Sequence, residues 1–222
     1  MNLHVDALFT HDERGRMLRS NEPSAAVAPR FFLGLTKEGV VRRYRNDLDE
    51  QTILALEPVP DGADADNLNE SIVRCCAILD TLAPIQHIGG GPAYSFPDKL
   101  DRPDKSVVRV TESNQNLLST YLPEWLPEVT QSAPLFALVV DDHAVAVCGS
   151  VRITLEAHEA GVETAKELRG QGYAVRVVLA WAHALRELGV EPLYSTELKN
   201  VSSQAVARKL SLVQFGHDVS IT

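Results

Sequence analysis

A short glycine-rich segment, Arg169-Gly-Gln-Gly-Tyr-Ala174, has the residue types and spacing of a phosphate-binding turn. Gly170 and Gly172 allow the backbone to take positive φ values and to approach a ligand closely. The free N–H groups of a helix that begins at this turn would face that ligand, with the positive end of the helix dipole behind them. The segment therefore predicts a diphosphate site, although many α/β proteins use such a turn only to reverse the chain.

Two common phosphate-binding motifs fit this segment poorly. A Walker A loop needs Gly-Lys followed by Ser or Thr, and none follows these glycines. A dinucleotide fingerprint, G-x-G-x-x-G, needs a third glycine where Val175 stands. Its ribose-binding acid should also end the next strand, whereas Glu191 would precede one. A protein that binds another nucleotide at this turn stays open as a third hypothesis for function.

The elements on either side of the turn follow from hydrophobic spacing. Glu156 to Thr164 ends in Gly-Val-Glu-Thr and is predicted to be a strand. Tyr173 to Leu188 is predicted to be an amphipathic helix that ends at Gly189. Its buried face would carry Val177, Trp181, Leu185 and Leu188, and its solvent face Arg176, His183 and Glu187. The predicted arrangement is strand, glycine-rich turn and helix.

The motif R/Q-x-x-G-x-G/A matches Arg169 to Ala174, and the turn resembles the coenzyme A pyrophosphate loop of the GNAT superfamily of N-acetyltransferases. The next segment, Leu193-Tyr-Ser-Thr-Glu-Leu198, is similar to the strand that follows in that family. Asn200 to Leu212 is similar to its N-x-x-S-x-x-V-A-x-K-L-G-F segment. The resemblance is good over Leu135 to Phe215, and it extends back to near Ser106.

This resemblance implies an α/β fold with a mixed, mostly antiparallel GNAT-type sheet flanked by helices. We expect residues 101–222 to form the acetyltransferase domain and residues 1–100 an N-terminal α/β accessory domain. A proline-rich and charged segment, Pro97 to Lys105, is the predicted linker. The implied function is that of an acetyl-CoA-dependent N-acetyltransferase, which transfers acetyl directly to a primary amine. The alternative is a non-catalytic protein that binds or senses acyl-CoA on the same fold.

The resemblance also implies where acetyl-CoA is held. Its pyrophosphate would meet the N–H groups of Arg169, Gly170, Gln171, Gly172, Tyr173 and Ala174. Its pantetheine arm would pair with the strand backbone at Val162, Glu163 and Thr164, between two parallel strands that diverge. Asn200 and Ser203 would contact the cofactor from the last helix, although Asn200 equally suits a helix N-cap.

Direct transfer needs a base that takes a proton from the amine and donors that stabilise the oxyanion. Glu163 and Glu197, near the ends of the strands that flank the cleft, are the candidate bases; surface charge is the alternative for each. A backbone N–H next to Val162 is the candidate oxyanion donor. Many family members carry a tyrosine seven residues after the asparagine, where Ala207 stands here. Tyr194 is the candidate substitute; otherwise the thiolate leaves unassisted.

Other nucleophiles and metal sites are not indicated. Cys148 lies within a predicted strand, and Cys75-Cys76 on a predicted helix suggest packing. His158 and His183 suit structural positions. We therefore expect no metal and no covalent enzyme intermediate.

The first hundred residues contain a predicted β-hairpin, Arg30 to Tyr44, and a predicted strand at Thr52 to Leu56. A loop at residues 58–63 and a helix up to residue 79 would follow, and Gly89 to Pro92 would form a turn or hinge. Arg42, Arg43 and Arg45 could contact an anion; a basic strand edge that resists aggregation is the alternative.

Composition limits the partners. A formal net charge of −9 argues against general nucleic-acid binding and suits a cationic amine acceptor, either a small molecule or a peptide. The sequence has no apolar run of the ~18 residues that a membrane span needs, and no signal-peptide pattern at its start. We therefore expect a cytoplasmic protein, with a homodimer left open.

Overall fold

The computed structural model describes residues 1–58 and 65–222 as backbone; the loop expected at residues 58–63 lies almost entirely outside them. Five α-helices and twelve strands occur in the described part, in the order α1 (Asn2–Leu8), β1 (Phe9–His11), β2 (Met17–Ser20), β3 (Phe31–Thr36), β4 (Gly39–Tyr44), α2 (Glu50–Leu56), α3 (Ala65–Asp80), β5 (Ile88–Gly89), β6 (Pro92–Ser95), β7 (Val107–Val110), β8 (Leu135–Val140), β9 (His143–Ile153), β10 (Ala157–Thr164), α4 (Tyr173–Glu187), β11 (Glu191–Ser195), α5 (Val201–Lys209) and β12 (Val213–Ile221). Three short 3₁₀ helices lie at Gln115–Leu118, Pro123–Glu128 and Lys166–Leu168.

The chain divides into two compact units by its internal contacts. The first unit comprises Met1–Ala93, Thr196–Lys199 and Gln214–Thr222, and the second comprises Tyr94–Ser195 and Asn200–Val213. The last strand therefore groups with the N-terminal residues. The expected division into residues 1–100 and 101–222 stays a prediction.

In the first unit, β3 pairs antiparallel with both β4 and β12, and β5 pairs with the end of β12. The hairpin expected at residues 30–44 is thus confirmed. Apolar side chains on one side of this sheet, including Phe31 and Leu33, pack with Leu56 and Leu79 from α2 and α3. Arg30 is buried, and its guanidinium donates to the carbonyls of Leu79 and Ala83 at 2.8 Å, which satisfies the C-terminal end of α3.

In the second unit, the strand order β11-β10-β9-β8-β7 is antiparallel except for the parallel pair β10 and β11. This confirms a mixed, mostly antiparallel sheet with flanking helices. Strand β9 is buried along most of its length because its residues contribute to two apolar clusters. Val145 and Cys148 pack with Trp181 and Leu185 of α4, and Val147 packs with Trp125 of the 3₁₀ region.

The segment predicted to be a linker packs along α4 instead. Arg176 binds Asp104 at 2.7 Å, the ring of His183 donates to the Asp101 carbonyl at 2.6 Å, and Arg186 donates to the Asp98 carbonyl at 2.8 Å. Its prolines exclude regular structure, but the polar face of the helix supplies the hydrogen bonds that its backbone needs. The prediction that this segment is a linker is therefore wrong, because the segment packs against a helix of the second unit.

Four further local expectations are corrected. Thr52 to Leu56 belongs to helix α2, because Asp49 caps it by accepting from the Thr52 N–H at 2.8 Å. The strand expected at Leu193 to Leu198 begins at Glu191 and ends at Ser195. Leu188 is 65% exposed, since it lies just beyond the last residue of α4. The Gly89 turn instead contains the end of β5 and leads directly into β6.

No helix in the described part of the chain is long and apolar enough to cross a membrane.

Candidate functional site

The parallel strands β10 and β11 diverge within their own length. Their pairing runs from Ala157 opposite Glu191 to Glu159 opposite Leu193, whereas β10 continues to Thr164. A register shift in the pairing of β10 with β9 lies between Glu159 and Ala160, at the residue where the parallel pairing stops. A bulge bends a strand locally and increases its twist. The extra residue, Val151, is on β9, and the irregularity coincides with the position at which β10 loses its pairing with β11.

The glycine-rich turn opens helix α4 as the sequence predicts. Gly170 and Gly172 have φ values of 83° and 79°, and Gly172 is the N-cap residue of this 15-residue helix. A Cβ atom built at either glycine would meet no heavy atom within 4 Å. The first N–H groups of α4 therefore begin beside open space, where an anion is stabilised by the helix dipole.

A cavity of about 700 Å³ lies between the end of β10, this turn and α5. Most residues predicted to hold the cofactor line it: Val162, Glu163, Thr164, Arg169, Gly170, Gly172, Tyr173, Ala174, Asn200 and Ser203. Gln171 is not among the lining residues, and its side-chain oxygen accepts a hydrogen bond from the Tyr173 hydroxyl at 2.7 Å. The fold thus brings together two sets of residues that are separated by about thirty positions in the sequence.

Glu163 lines the cavity and is held by a tryptophan. The indole Nε1 of Trp125 donates to Glu163 Oε2 at 2.8 Å, and Trp125 lines the same cavity. A carboxylate fixed by one such bond keeps its remaining lone pairs for a proton. Of the two carboxylates predicted as bases, Glu163 is the one in the cavity.

Glu197 lies elsewhere. It is not a lining residue, it belongs to the first unit, and its side chain is 62% exposed. Its Oε1 lies 4.0 Å from Nε2 of His87. Because β11 ends at Ser195, Glu197 does not occupy the strand end that the sequence pattern suggested.

Tyr194 is buried, and its hydroxyl lies 2.7 Å from the Ser203 hydroxyl. Burial raises the pKa of Tyr194 to about 12, against a smaller opposing effect of the hydrogen bond with Ser203. Ser203 lines the cavity, whereas Tyr194 does not. Tyr194 therefore reaches the cavity only through Ser203.

The first turn of α5 is capped by Asn200, whose Oδ1 accepts from the Ser203 N–H at 3.0 Å. The same residue lines the cavity, so capping and ligand contact are not exclusive. Ala207, at the position where the family often has tyrosine, is fully buried in the core beneath α4. A larger side chain there would displace packed atoms of that core.

Two charged or aromatic residues of the cavity were missed by sequence reasoning, namely Trp125 and Lys209. Lys209 lies three residues after Val206 on the same face of α5. The helical spacing that begins at Asn200 could therefore have identified it. Trp125 comes from a 3₁₀ helix with two prolines, and no local pattern relates it to β10.

The other nucleophile and base candidates have structural roles. His158 is buried, its Nδ1 lies 2.8 Å from the Ser150 hydroxyl, and burial lowers its pKa. Burial raises the pKa of the Cys148 thiol, which keeps it protonated and unreactive. Across residues 1–58 and 69–222, whose side chains the structure describes, no group of three or more His, Cys, Asp or Glu side chains is arranged to hold a metal ion.

Comparisons with known proteins agree with this fold. The model of the Acetyltransferase (GNAT) family matches residues 100–211. An acetyltransferase of the GNAT family from Colwellia psychrerythraea superposes with a TM-score of 0.53 at 15% identity, over 89% of this chain and 82% of that one. A putative GNAT-family acetyltransferase from Novosphingobium aromaticivorans DSM 12444 gives 0.52 at 15% identity, over 62% and 65%. No curated protein sequence matches the chain.

Proposed function

The chain belongs to the acetyltransferase (GNAT) family, and from this we propose that it transfers acetyl from acetyl-CoA directly to a primary amine. Family membership implies an acyltransferase with acetyl-CoA as co-substrate. The observation that carries the finer proposal is the cavity in which the glycine turn of α4, the diverging end of β10 and the Glu163 carboxylate meet.

The phosphate end of acetyl-CoA is assigned to the start of α4. The open space beside Gly170 and Gly172 suits a pyrophosphate, which the helix N–H groups would bind. Arg169 and Lys209 line the same cavity and add positive charge. Arg169 Nε also donates to the Thr164 carbonyl at 3.2 Å, which ties the turn to the end of β10.

The pantetheine arm is assigned to the edge of β10 beyond Glu159. Gly161 to Thr164 line the cavity and lie past the last described pair with β11. A strand edge offers N–H and C=O groups, and an amide-bearing arm can satisfy them as an added strand would. The thioester would then lie near Val162 and Glu163, with a backbone N–H of that strand as oxyanion donor.

Glu163 is the proposed general base. The amine nitrogen attacks the thioester carbonyl, the C–N bond forms, and the C–S bond breaks as its electron pair leaves with sulfur. The proton of the amine goes to the Glu163 carboxylate, which Trp125 holds in place. No covalent bond to the enzyme is formed in this sequence.

The departing thiolate needs little acid assistance. A free thiol has a pKa of about 8.5, so a phenol raised to about 12 is too weak an acid to protonate it fully. Tyr194 can instead orient the Ser203 hydroxyl, which lines the cavity and can donate to sulfur. We therefore propose a hydrogen-bonding role for this pair, which the absence of tyrosine at Ala207 does not weaken.

The test is thiol release from acetyl-CoA in the presence of a panel of primary amines, together with calorimetric measurement of acetyl-CoA binding. Glu163→Gln is expected to lower kcat by at least ~100-fold while binding of acetyl-CoA changes little, since a general base contributes about 10²–10⁴. Glu156→Gln, an exposed carboxylate just before β10, is the matched control and should retain kcat.

The outcomes separate the alternatives. Binding without turnover for every amine would favour an acyl-CoA sensor over an enzyme. Full activity of Glu163→Gln, together with loss of activity in Glu197→Gln, would show that Glu197 is the general base. Absence of any heat with acetyl-CoA would overturn the assignment of the cavity itself.

A further inference from the structure

A second cavity, of about 630 Å³, lies wholly within the first unit and shares no lining residue with the first cavity. Its walls carry Arg14, Arg16, Arg42 and Arg43, together with His11 and the single carboxylate Asp6. Four arginines around one space are notable in a chain whose formal net charge is −9. Like charges repel, so such a group is stable only when anions or solvent compensate for it.

The turn from Asp12 to Arg16 fixes two of these arginines. Asp12 Oδ1 accepts from the N–H groups of Arg14 and Arg16, each at 2.9 Å, and Gly15 permits the tight turn with φ of 74°. Arg16 donates from Nη1 to the Leu48 carbonyl at 2.8 Å, and its side chain is 15% exposed. A guanidinium held in this way loses little conformational entropy when it binds a ligand.

The carboxylates near these arginines neutralise them only weakly. Asp6 is 54% exposed, and its Oδ1 lies 4.0 Å from Nη2 of Arg43, whose side chain is 25% exposed. Glu50 pairs with Arg16 but is 72% exposed. Exposed pairs of this kind contribute little to stability, because solvent screens them. Among the lining residues four arginines stand against one carboxylate, so the formal charge of the cavity walls is positive.

His11 gives an independent sign of an unfilled polar site. Its Nε2 is buried and has no hydrogen-bond partner among the described residues. Burial lowers the pKa of His11, an effect that Asp6 opposes and Arg43 reinforces. A neutral imidazole can donate or accept one hydrogen bond at this nitrogen, and buried polar atoms in native proteins are normally satisfied.

We propose that this cavity binds a small organic anion that carries a phosphate monoester or two carboxylates. Arginine forks match the paired oxygens of both groups, and the cavity volume is in the range of small-molecule sites. Tyr44 and Ile53 complete the lining and supply apolar surface for the carbon part of the ligand. The ring of Tyr44 is itself fixed by stacking on Phe31, with centroids 5.5 Å apart.

A protective basic edge is the competing explanation, since β4 is the last strand of its sheet. Edge protection needs charges on the edge strand only. Arg14 and Arg16 lie outside β4, in the turn before β2, and line one concave space with Arg42 and Arg43. This arrangement favours a ligand over a purely protective role.

The test is calorimetric titration of the full chain with phenyl phosphate, succinate and acetate at constant ionic strength. We expect phenyl phosphate or succinate to bind with Kd below ~1 mM and acetate at least ~10-fold more weakly, because only a dianion can engage several arginines. Tighter binding of phenyl phosphate would indicate a phosphate monoester as the ligand group, and tighter binding of succinate would indicate two carboxylates. Arg42→Gln and the exposed Arg14→Gln should each weaken binding ~10-fold, whereas Asp6→Asn should strengthen it about threefold.

Arg19→Gln removes one positive charge from the same unit outside this cavity and is the matched control, which should bind as the parent does. Arg14→Gln keeps the test decisive if Arg42→Gln fails to fold. The proposal is overturned if no probe gives heat at about 10 mM, ~10 times the weakest expected Kd. It is also overturned if the Arg14 and Arg42 variants bind as tightly as Arg19→Gln.

Discussion

Three polar side chains meet beneath helix α4 and give His158 a structural role. The Ser150 hydroxyl accepts from Trp181 Nε1 at 3.0 Å and lies 2.8 Å from His158 Nδ1. All three residues are buried, and they belong to β9, α4 and β10. A satisfied network of this kind fixes the helix against the sheet, while the loss of one member leaves the others unpaired. The position of α4, and hence of its glycine turn, depends on these bonds.

The pH dependence of stability should report His158. Burial lowers its native pKa below the ordinary value near 6.5, an effect that the Thr154 backbone opposes only in part. As the pH falls below about 6.5, the unfolded chain binds a proton that the native chain does not, so the free energy of unfolding decreases until the native pKa is reached. Urea denaturation at about pH 7.5 and 5.5 measures this decrease, and His158→Gln should lose part of it.

The matched control is His183→Gln, because His183 is partly exposed and donates to the Asp101 carbonyl of the segment that packs along α4. It should keep the pH dependence of the parent. Identical pH dependence in the parent and in His158→Gln would contradict the prediction.

At the scale of elements, two glycines at opposite ends of α4 have the same backbone geometry but different surroundings. Gly172 precedes the helix with φ of 79°, and Gly189 follows it with φ of 73°. A Cβ at either would meet no atom within 4 Å. Any L residue is strained at these φ values by roughly 1–2 kcal/mol. Only Gly172 lines the cavity.

Substitution of both glycines by glutamate therefore separates strain from function. Gly172→Glu places a negative charge where the phosphates are proposed to bind and should weaken acetyl-CoA binding at least ~10-fold. Both variants should lower the midpoint of thermal unfolding to a similar extent, because both strain the backbone. Gly189→Glu should leave the calorimetric Kd for acetyl-CoA unchanged. Equal Kd values for the two variants would argue that the turn does not hold the phosphates.

The elements around the turn were predictable from the sequence because their signals are local. Hydrophobic spacing located α4, and the glycines located its start. The short apolar run from Thr52 to Leu56 predicts a strand, whereas the Asp49 cap favours the helix that the structure shows. The bond between Trp125 and Glu163 joins residues far apart in sequence, so no periodicity could reveal it. The end of the parallel pairing at Glu159 is likewise a property of three strands together.

At the scale of the whole molecule, the chain passes repeatedly between its two compact units. Residues 196–199 and 214–222 belong to the first unit, although both follow helix α4 of the second unit in the sequence. In the first unit, β12 pairs with β3 from Gly216 opposite Thr36 to Ile221 opposite Phe31. The family match ends at residue 211, before this strand begins.

A fragment of residues 101–222 should therefore not behave as an independent domain. It would carry β12 without β3 and β5, which pair with it, and an unpaired strand edge promotes aggregation. We expect the fragment to be poorly soluble and to lack a cooperative urea transition, whereas the full chain unfolds cooperatively. A soluble fragment with a sharp transition would instead support the domain division that the sequence suggested.

The pairing of β12 with β3 also bears on inheritance. Strands β3 and β12 are far apart in the sequence but belong to one sheet, so a crossover between their codons separates strands that fit each other. Relatives that lack β3 should also differ in β12. Chimeras that take β3 and β12 from one parent should express better than chimeras that mix them.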